Sequence, residues 1–126
     1  MQFSTKAEYG LRAVVVLAKA YPKLKSISEI SREENISAKY LEQLFGALKH
    51  GGVIVSYKGK SGGYTLSKIP SRVSVAEIVE SLEGSLEPMQ CQSSECINAK
   101  CPSKKVWVKL GREIKKTLKG IKLSEL

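Results

Sequence analysis

Two short helical segments, joined by four turn-forming residues and followed by a glycine-rich hairpin, most constrain the fold of this chain. Ser26 and Glu29 have the spacing of a capping box, which predicts a helix over residues 27–33. Residues 34–37, Glu-Asn-Ile-Ser, form the turn, because Asn tolerates a left-handed backbone and Ser caps a following helix. A third helix is predicted from residue 38 to about 50. This spacing is typical of a helix-turn-helix.

The third helix has two distinct faces. Its predicted core face consists of Leu41, Leu44, Phe45 and Leu48, at i, i+3, i+4 and i+7. Its opposite face is polar, with one small residue, and comprises Lys39, Glu42, Gln43, Gly46 and Lys49. For an arbitrary amphipathic helix such a strip indicates only a solvated surface. The segment that follows favours a functional interpretation.

Residues 53–57 and 64–66 are predicted strands, and the turn between them is basic and rich in glycine. A phosphate-binding loop is the alternative interpretation of this turn. Such a loop opens a helix whose N-terminus faces the phosphate, whereas this one lies between strand patterns. The sequence therefore predicts a wing, with Lys58 and Lys60 reaching the DNA backbone or a minor groove.

The remaining segments complete a mainly α fold with a small β-hairpin. We predict a first helix from Thr5 to about residue 20, with Thr5 and Glu8 as a capping box, and a fourth from Ser74, capped with Glu77, to residue 84. The predicted organisation is a winged helix-turn-helix domain over residues 1–83, a cysteine-containing loop over 84–102, and a dimerisation helix with its tail over 103–126.

The last helix carries a narrow apolar seam of near-heptad spacing between basic faces. The seam residues are Trp107, Leu110, Ile114, Leu118 and Ile121. A basic amphipathic helix of this kind could lie on a membrane. The narrowness of the seam favours a partner helix instead. We therefore expect a homodimer, which a palindromic operator requires.

Composition limits the function. Lys and Arg number 21 against 12 acidic residues, and the net charge of +9 suits a polyanionic partner. Every acidic residue is Glu and His50 is the single histidine, so one chain cannot assemble a Ser-His-Asp triad or a histidine-based zinc site. We expect a protein that is not an enzyme. The absence of a long apolar stretch or secretion signal predicts a soluble, cytoplasmic protein without membrane association.

Several motifs together resemble the Rrf2 family of winged-helix regulators, which includes IscR, NsrR and CymR. These motifs are Ser4-Thr5-Lys6 with Glu8-Tyr9-Gly10-Leu11-Arg12, Ile36-Ser37 with Tyr40-Leu41-Glu42-Gln43-Leu44, and Gly59 with Gly62-Gly63-Tyr64. The resemblance covers essentially the whole chain. It implies a repressor that binds double-stranded operator DNA, with base-reading residues at Lys39, Glu42 and Gln43 and a wing contact at Lys58. The full predicted DNA-binding set is Ser37, Lys39, Glu42, Gln43, Lys58, Gly59, Lys60 and Ser61.

The three cysteines lie together, at Cys91, Cys96 and Cys101. By the family resemblance they are the ligands of an iron-sulfur cluster with two or four irons, which would sense redox state, iron or nitric oxide. The residues leave two alternatives open, incidental thiols and structural zinc. The histidine ligand of two-iron relatives is missing here, and Glu8 of the other subunit is a candidate further ligand.

A second hypothesis is a cofactor-free, CymR-like repressor that is controlled by a partner protein. A thiol redox protein is a third interpretation, which the lack of a Cys-x-x-Cys pair disfavours.

Overall fold

The computed structural model describes residues 3–87 and 101–126. These residues form five α-helices and one antiparallel two-stranded sheet, so the predicted mainly α fold with a small hairpin is confirmed. The helices are α1 (Thr5–Ala20), α2 (Ile27–Glu34), α3 (Ala38–His50), α4 (Val75–Glu83) and α5 (Lys104–Lys119). The strands are β1 (Ile54–Tyr57) and β2 (Gly63–Leu66), and two short 3-10 helices span Pro70–Arg72 and Leu123–Glu125.

Serine side chains begin three of the helices. Ser26 and Glu29 form the complete capping box expected at α2, each side chain bonding the other's main-chain N–H at 3.1 Å. The hydrogen bond from the Ser26 main-chain N–H lowers the pKa of the Glu29 carboxyl. Ser37 accepts a hydrogen bond from the main-chain N–H of Tyr40 at the start of α3. Ser74 accepts one from the main-chain N–H of Glu77 at the start of α4, so both predicted serine caps are present. The Glu77 carboxylate pairs with Lys68 and does not complete a capping box.

The start of α1 differs from the expectation. The helix begins at Thr5 as predicted, but its N-cap is Ser4 and no side chain caps it, so the Thr5–Glu8 capping box is wrong. Ser4 instead donates from its main-chain N–H to the Glu83 carboxylate at 2.9 Å, which joins the start of α1 to the end of α4. Thr5 is the first residue inside the helix, and its hydroxyl lies 3.3 Å from the Tyr40 hydroxyl.

Helix α1 lies at the centre of the core. Ala13, Val14 and Leu17 of α1 are fully buried and pack with the apolar face of α3, including Phe45. Helix α4 approaches α1 closely at Gly10, where an added Cβ would stand 2.3 Å from a methyl group of Leu82. The broadly apolar pattern of the first helix therefore reflects packing on more than one side, as expected.

A smaller apolar cluster joins α5 to the domain. Leu118 and Ile121 pack against a group of buried residues in α1, α4 and the segment after α4, namely Ala7, Val75, Ala76, Val79 and Leu86. Leu123, in the 3-10 helix after α5, belongs to the main core. The C-terminal half of the predicted seam thus packs within its own chain, whereas Leu110 of the N-terminal half is 39% exposed, and Val106, which was not part of the predicted seam, is 59% exposed.

Candidate nucleic-acid interface and cysteine site

The turn between α2 and α3 is fixed by local hydrogen bonds. Asn35 ends α2 in the left-handed conformation (φ 55°, ψ 47°), the role predicted for it. The Ser31 hydroxyl donates to the main-chain carbonyl of Ile36 at 2.6 Å, and Ile36 itself is buried. These contacts set the angle between α2 and α3, as a helix-turn-helix requires.

Helix α3 buries one face and exposes the other. The buried residues are the predicted Leu41, Leu44, Phe45 and Leu48. Lys39, Glu42 and Gln43 are exposed together on the opposite side. Nothing within 4 Å would meet a Cβ at Gly46 on that side, so the surface is open to close approach. We call the exposed side of α3 the recognition face.

The hairpin turn is built around glycines. Gly59 has φ +105°, which favours glycine, and a Cβ at Gly62 would lie 2.2 Å from the main-chain carbonyl oxygen of Tyr57. The Gly62 main-chain N–H donates to the Gly59 carbonyl at 3.0 Å and closes the turn. Lys58, Gly59, Lys60 and Ser61 are all exposed, so the tight turn presents two cations to solvent.

The wing is attached to α3 and to the segment just before α2. Lys49, near the end of α3, donates to the Ser56 hydroxyl of β1 at 2.9 Å. The Tyr64 ring of β2 meets the Phe45 ring edge-on, with centroids 4.8 Å apart. Tyr64 also exchanges two main-chain hydrogen bonds, of 2.8 and 3.0 Å, with Lys25 just before α2. The recognition face and the wing therefore have a fixed mutual position.

The contacts by which Arg12 of α1 supports the helix-turn-helix were not predicted from the sequence. Arg12 donates to the main-chain carbonyl of Glu34 at 2.6 Å and to its carboxylate at 3.3 Å, at the end of α2. The Arg12 guanidinium also lies 5.2 Å from the centroid of the Tyr9 ring, which contacts Tyr40 edge-on. An Arg and a Tyr three residues apart on one helix were the available signal, but their partners are distant in sequence.

An open groove of about 930 Å³ lies along the outer side of α1. Its apolar residues include Leu11, Val15 and Val16, and charged residues surround them. Glu8, the predicted ligand from the other subunit, is exposed and lines this groove. We call this feature the α1 groove.

Cys101 is the one predicted cysteine ligand that the structure describes, since Cys91 and Cys96 lie outside the described residues. Its sulfur lies 2.9 Å from the Ser103 hydroxyl, and hydrogen bonds from the side chain and main chain of Ser103 lower the pKa of the thiol. Cys101 shares a surface cavity of about 650 Å³ with Lys104, Lys105, Lys109 and Arg112. These surroundings favour the thiolate, the form that ligates metals.

Within residues 3–87 and 101–126, no three His, Cys or Glu side chains form a group that could hold a metal ion. Glu8 and Cys101 line different cavities. The donor chemistry of Cys101 nevertheless fits an iron-sulfur cluster, because thiolates are the usual ligands of such clusters. Over the same residues, the structure contains no helix with both the length and the apolar character needed to span a membrane.

A helix-turn-helix followed by a hairpin wing defines the winged-helix class of DNA-binding proteins. Residues 3–126 match the model of the Rrf2 family, described as an iron-dependent transcriptional regulator, and the chain belongs to this family. It is a transcriptional regulator.

Two kinds of relative are similar in sequence. The chain is 31% identical to CymR of Bacillus subtilis over 127 residues, which covers all of this chain and 89% of CymR. It is also 31% identical to IscR of Xenorhabdus nematophila over 129 residues, which covers all of this chain and 79% of IscR.

The solved structures that are similar to this chain also include a CymR and an IscR. CymR of B. subtilis, described as its global cysteine regulator, has a TM-score of 0.82 at 31% identity, covering 98% of this chain and 94% of CymR. IscR of T. potens has a TM-score of 0.80 at 30% identity, covering 98% and 84% of the respective chains. These matches establish the fold and the family, and the relatives include both CymR and IscR proteins.

Proposed function

We propose that this protein is a repressor that reads operator DNA with the recognition face of α3 and contacts the DNA backbone with the wing. The observation that carries this proposal is the joint exposure of Lys39, Glu42 and Gln43 beside a wing that Lys49 and Tyr64 join to the same domain. An exposed amide and a cation on a helix are suited to base edges in the major groove. Lysines at the tip of a tight turn are suited to phosphates. Ser37 completes the set, at the N-terminus of α3.

Selection of bound duplexes from a random pool tests this proposal. The wild-type protein should enrich a sequence with dyad symmetry, and a Lys39→Ala/Gln43→Ala variant should lose that enrichment while it keeps weak binding to all duplexes. Enrichment of the same sequence by both proteins would refute the assignment of α3 as the reading helix.

We infer that the protein acts as a homodimer in the cytoplasm. The exposed Val106 and Leu110 on α5 and the apolar floor of the α1 groove are two surfaces that a second copy would cover. A two-fold dimer places two recognition helices on the two halves of a palindromic site.

We propose further that Cys91, Cys96 and Cys101 hold an iron-sulfur cluster, with Glu8 of the other subunit as a fourth ligand. Support comes from the thiolate-favouring surroundings of Cys101, the iron-dependent character of the family, and the IscR relatives. Because the capping box does not form, the Glu8 carboxylate is not used at the start of its own helix. When bound, the cluster would supply a redox-sensitive or nitric-oxide-sensitive centre. The chain's part is to provide the ligands and the cationic surroundings of Cys101.

The CymR relatives favour the second candidate, a cofactor-free repressor that a partner protein controls. The visible absorption spectrum of protein purified without oxygen distinguishes the two. A sensor should be coloured, should lose its colour in each single Cys→Ala variant, and should change operator affinity when the cluster is removed. Colourless protein after anaerobic reconstitution with iron and sulfide, together with unchanged operator affinity in the triple Cys→Ala variant, would support the cofactor-free regulator.

A further inference from the structure

Helix α5 carries seven Lys or Arg residues and a single Glu in 16 residues. At 3.6 residues per turn, all seven cations fall within an arc of about 140°. We call this arc the basic face of α5. Its members are Lys104, Lys105, Lys109, Arg112, Lys115, Lys116 and Lys119. The helix is about 24 Å long at 1.5 Å per residue, so the face is an elongated cationic strip.

The structure leaves most of this strip exposed. The exposed members are Lys105, Lys109, Arg112, Lys116 and Lys119. Among the described residues, the ion pairs of the strip are limited to Lys115, whose ammonium lies 4.0 Å from the Glu87 carboxylate. Neighbouring cations at this density repel one another, and an anionic partner relieves that repulsion.

The packing of α5 indicates what kind of polyanion fits. A helix that binds a membrane inserts its apolar face among the acyl chains. In this chain the C-terminal part of the apolar face of α5 is turned toward the protein, because Leu118 and Ile121 pack on the α4 cluster. The exposed Val106 and Leu110 of the N-terminal part belong to the surface proposed above to be covered by a second copy of the chain. The rest of the helix surface is mainly cationic, which suits a partner recognised by charge alone.

We propose that the basic face of α5 is a second DNA-binding surface, which contacts the phosphate backbone of duplex DNA outside the operator bases read by α3. Each strand of duplex has a phosphate about every 3.4 Å along the duplex axis, so the strip is as long as about seven base pairs and can contact the phosphates that face it. This contact carries no sequence information, and it adds a counterion-release contribution to the binding of long DNA. It goes beyond the operator recognition proposed above, since it uses none of the residues of the recognition face or the wing.

The test is a Lys116→Gln/Lys119→Gln variant, in which two exposed cations of the last turn of α5, outside the cavity of Cys101, become neutral. Binding is measured on a minimal operator duplex and on a long duplex of random sequence over a range of salt concentrations. On the random duplex we expect affinity to fall about ten- to fifty-fold at low salt. The slope of log K against log salt should decrease by about 1.8, since each lost contact accounts for about 0.9. Affinity for the minimal operator should change little.

Two controls make the result specific. Lys68→Gln/Arg72→Gln lowers the net charge equally at exposed positions outside α5 and outside the α1 groove, and it should keep the wild-type slope. Lys116→Arg/Lys119→Arg preserves the charge and should keep the wild-type affinity. An unchanged slope in the α5 variant, or an equal decrease in the Lys68/Arg72 control, would overturn the proposal.

Binding to vesicles of phosphatidylserine and phosphatidylcholine tests whether the strip binds an anionic membrane instead of DNA. Loss of vesicle binding in the α5 variant with unchanged binding to random DNA would assign the strip to an anionic lipid surface and overturn the proposal. Failure of the operator proposal would appear separately, as unchanged sequence preference in variants of Lys39 and Gln43.

Discussion

The Arg12 guanidinium donates a hydrogen bond of 2.6 Å to the main-chain carbonyl of Glu34, so a residue of α1 satisfies the C-terminal end of α2. The same side chain lies against Tyr9, whose ring contacts Tyr40 of the recognition helix. One surface residue of α1 therefore contacts the end of α2 directly and the start of α3 through an aromatic pair.

We expect Arg12→Gln to weaken operator binding about fivefold, because α2 and the turn lose a fixed support. The free energy of unfolding should fall by only about 0.5 to 1 kcal/mol, since the pair is partly exposed and screened by solvent. Fluorescence anisotropy with an operator duplex and urea denaturation measure the two effects. Lys19→Gln, on the same side of α1, is the matched control and should bind as the wild type does.

Gln43→Ala should cost about 1 to 3 kcal/mol on operator DNA and should relax the preference at one base pair. An amide side chain pairs with two atoms of an adenine edge, and alanine makes neither bond. Competition with operators that carry single base changes would measure the lost preference. Gln43 is exposed, so the melting temperature should not change. A uniform loss on all sequences would contradict a base-reading role.

Lys58→Ala/Lys60→Ala should weaken binding to operator and random duplexes alike. Each lost phosphate contact should lower the slope of log K against log salt by about 0.9. Salt titrations on both duplexes check this expectation. An operator affinity and salt slope equal to those of the wild type would remove the wing from the DNA interface.

Leu110→Glu should produce monomers that fold normally and bind operator DNA poorly. Leu110 is 39% exposed in the single chain, so a charge there is tolerated in the monomer, whereas it is desolvated and unpaired in a helix interface. Analytical ultracentrifugation gives the assembly state, and circular dichroism checks the fold. Ile114→Glu should have the same effect. Leu118→Glu should instead destabilise the chain itself, because Leu118 packs on the core of its own subunit. A dimeric Leu110→Glu variant would place the interface elsewhere.

Ser26→Ala should lower the free energy of unfolding by about 1 kcal/mol at neutral pH. That loss should persist on acidification, because the Ser26 hydroxyl accepts from the main-chain N–H of Glu29, which does not titrate. The other half of the box does titrate. The Ser26 main-chain N–H bonds the Glu29 carboxylate and holds its pKa below the ordinary value, so this stabilisation is present at neutral pH and is lost as Glu29 becomes protonated. In urea denaturation over a range of pH, the wild type and a Glu29→Gln variant should therefore converge in stability below the ordinary carboxyl range. A difference between these two proteins that stays constant from neutral to acidic pH would show that the charge of Glu29 has no part in the cap.

Local patterns were sufficient to predict most of the fold. The apolar period of 3.6 located α1 and α3, Ser26 and Ser37 marked helix starts, and the glycines of the hairpin turn predicted the wing. Contacts between distant segments were not predictable in this way. Thr5 and Glu8 have capping-box spacing, but Ser4 precedes them and is bonded to Glu83, so the helix has a different N-cap.

For the candidate site too, features that arise within one helix could be predicted from the sequence, whereas contacts between helices could not. The exposure of Lys39, Glu42 and Gln43 follows from the period of α3, so it could be predicted from the sequence. The support that Arg12 gives to Glu34 could not, because it joins helices whose relative position is set by tertiary packing. The seam of α5 was predicted as one unit, but α4 covers only its C-terminal part, which periodicity alone does not reveal.

The pairing of Tyr64 with Lys25 gives β2 a second main-chain partner besides β1, close to the hairpin turn. The wing is thereby anchored to the segment before α2 as well as to α3, and each winged unit presents an almost rigid footprint to DNA. A dimer built from rigid footprints has one main geometric variable, the offset between its two heads. A signal that controls such a regulator by changing this offset would therefore change the number of base pairs that the dimer accepts between operator half-sites. The sequence preferred within each half-site would stay the same.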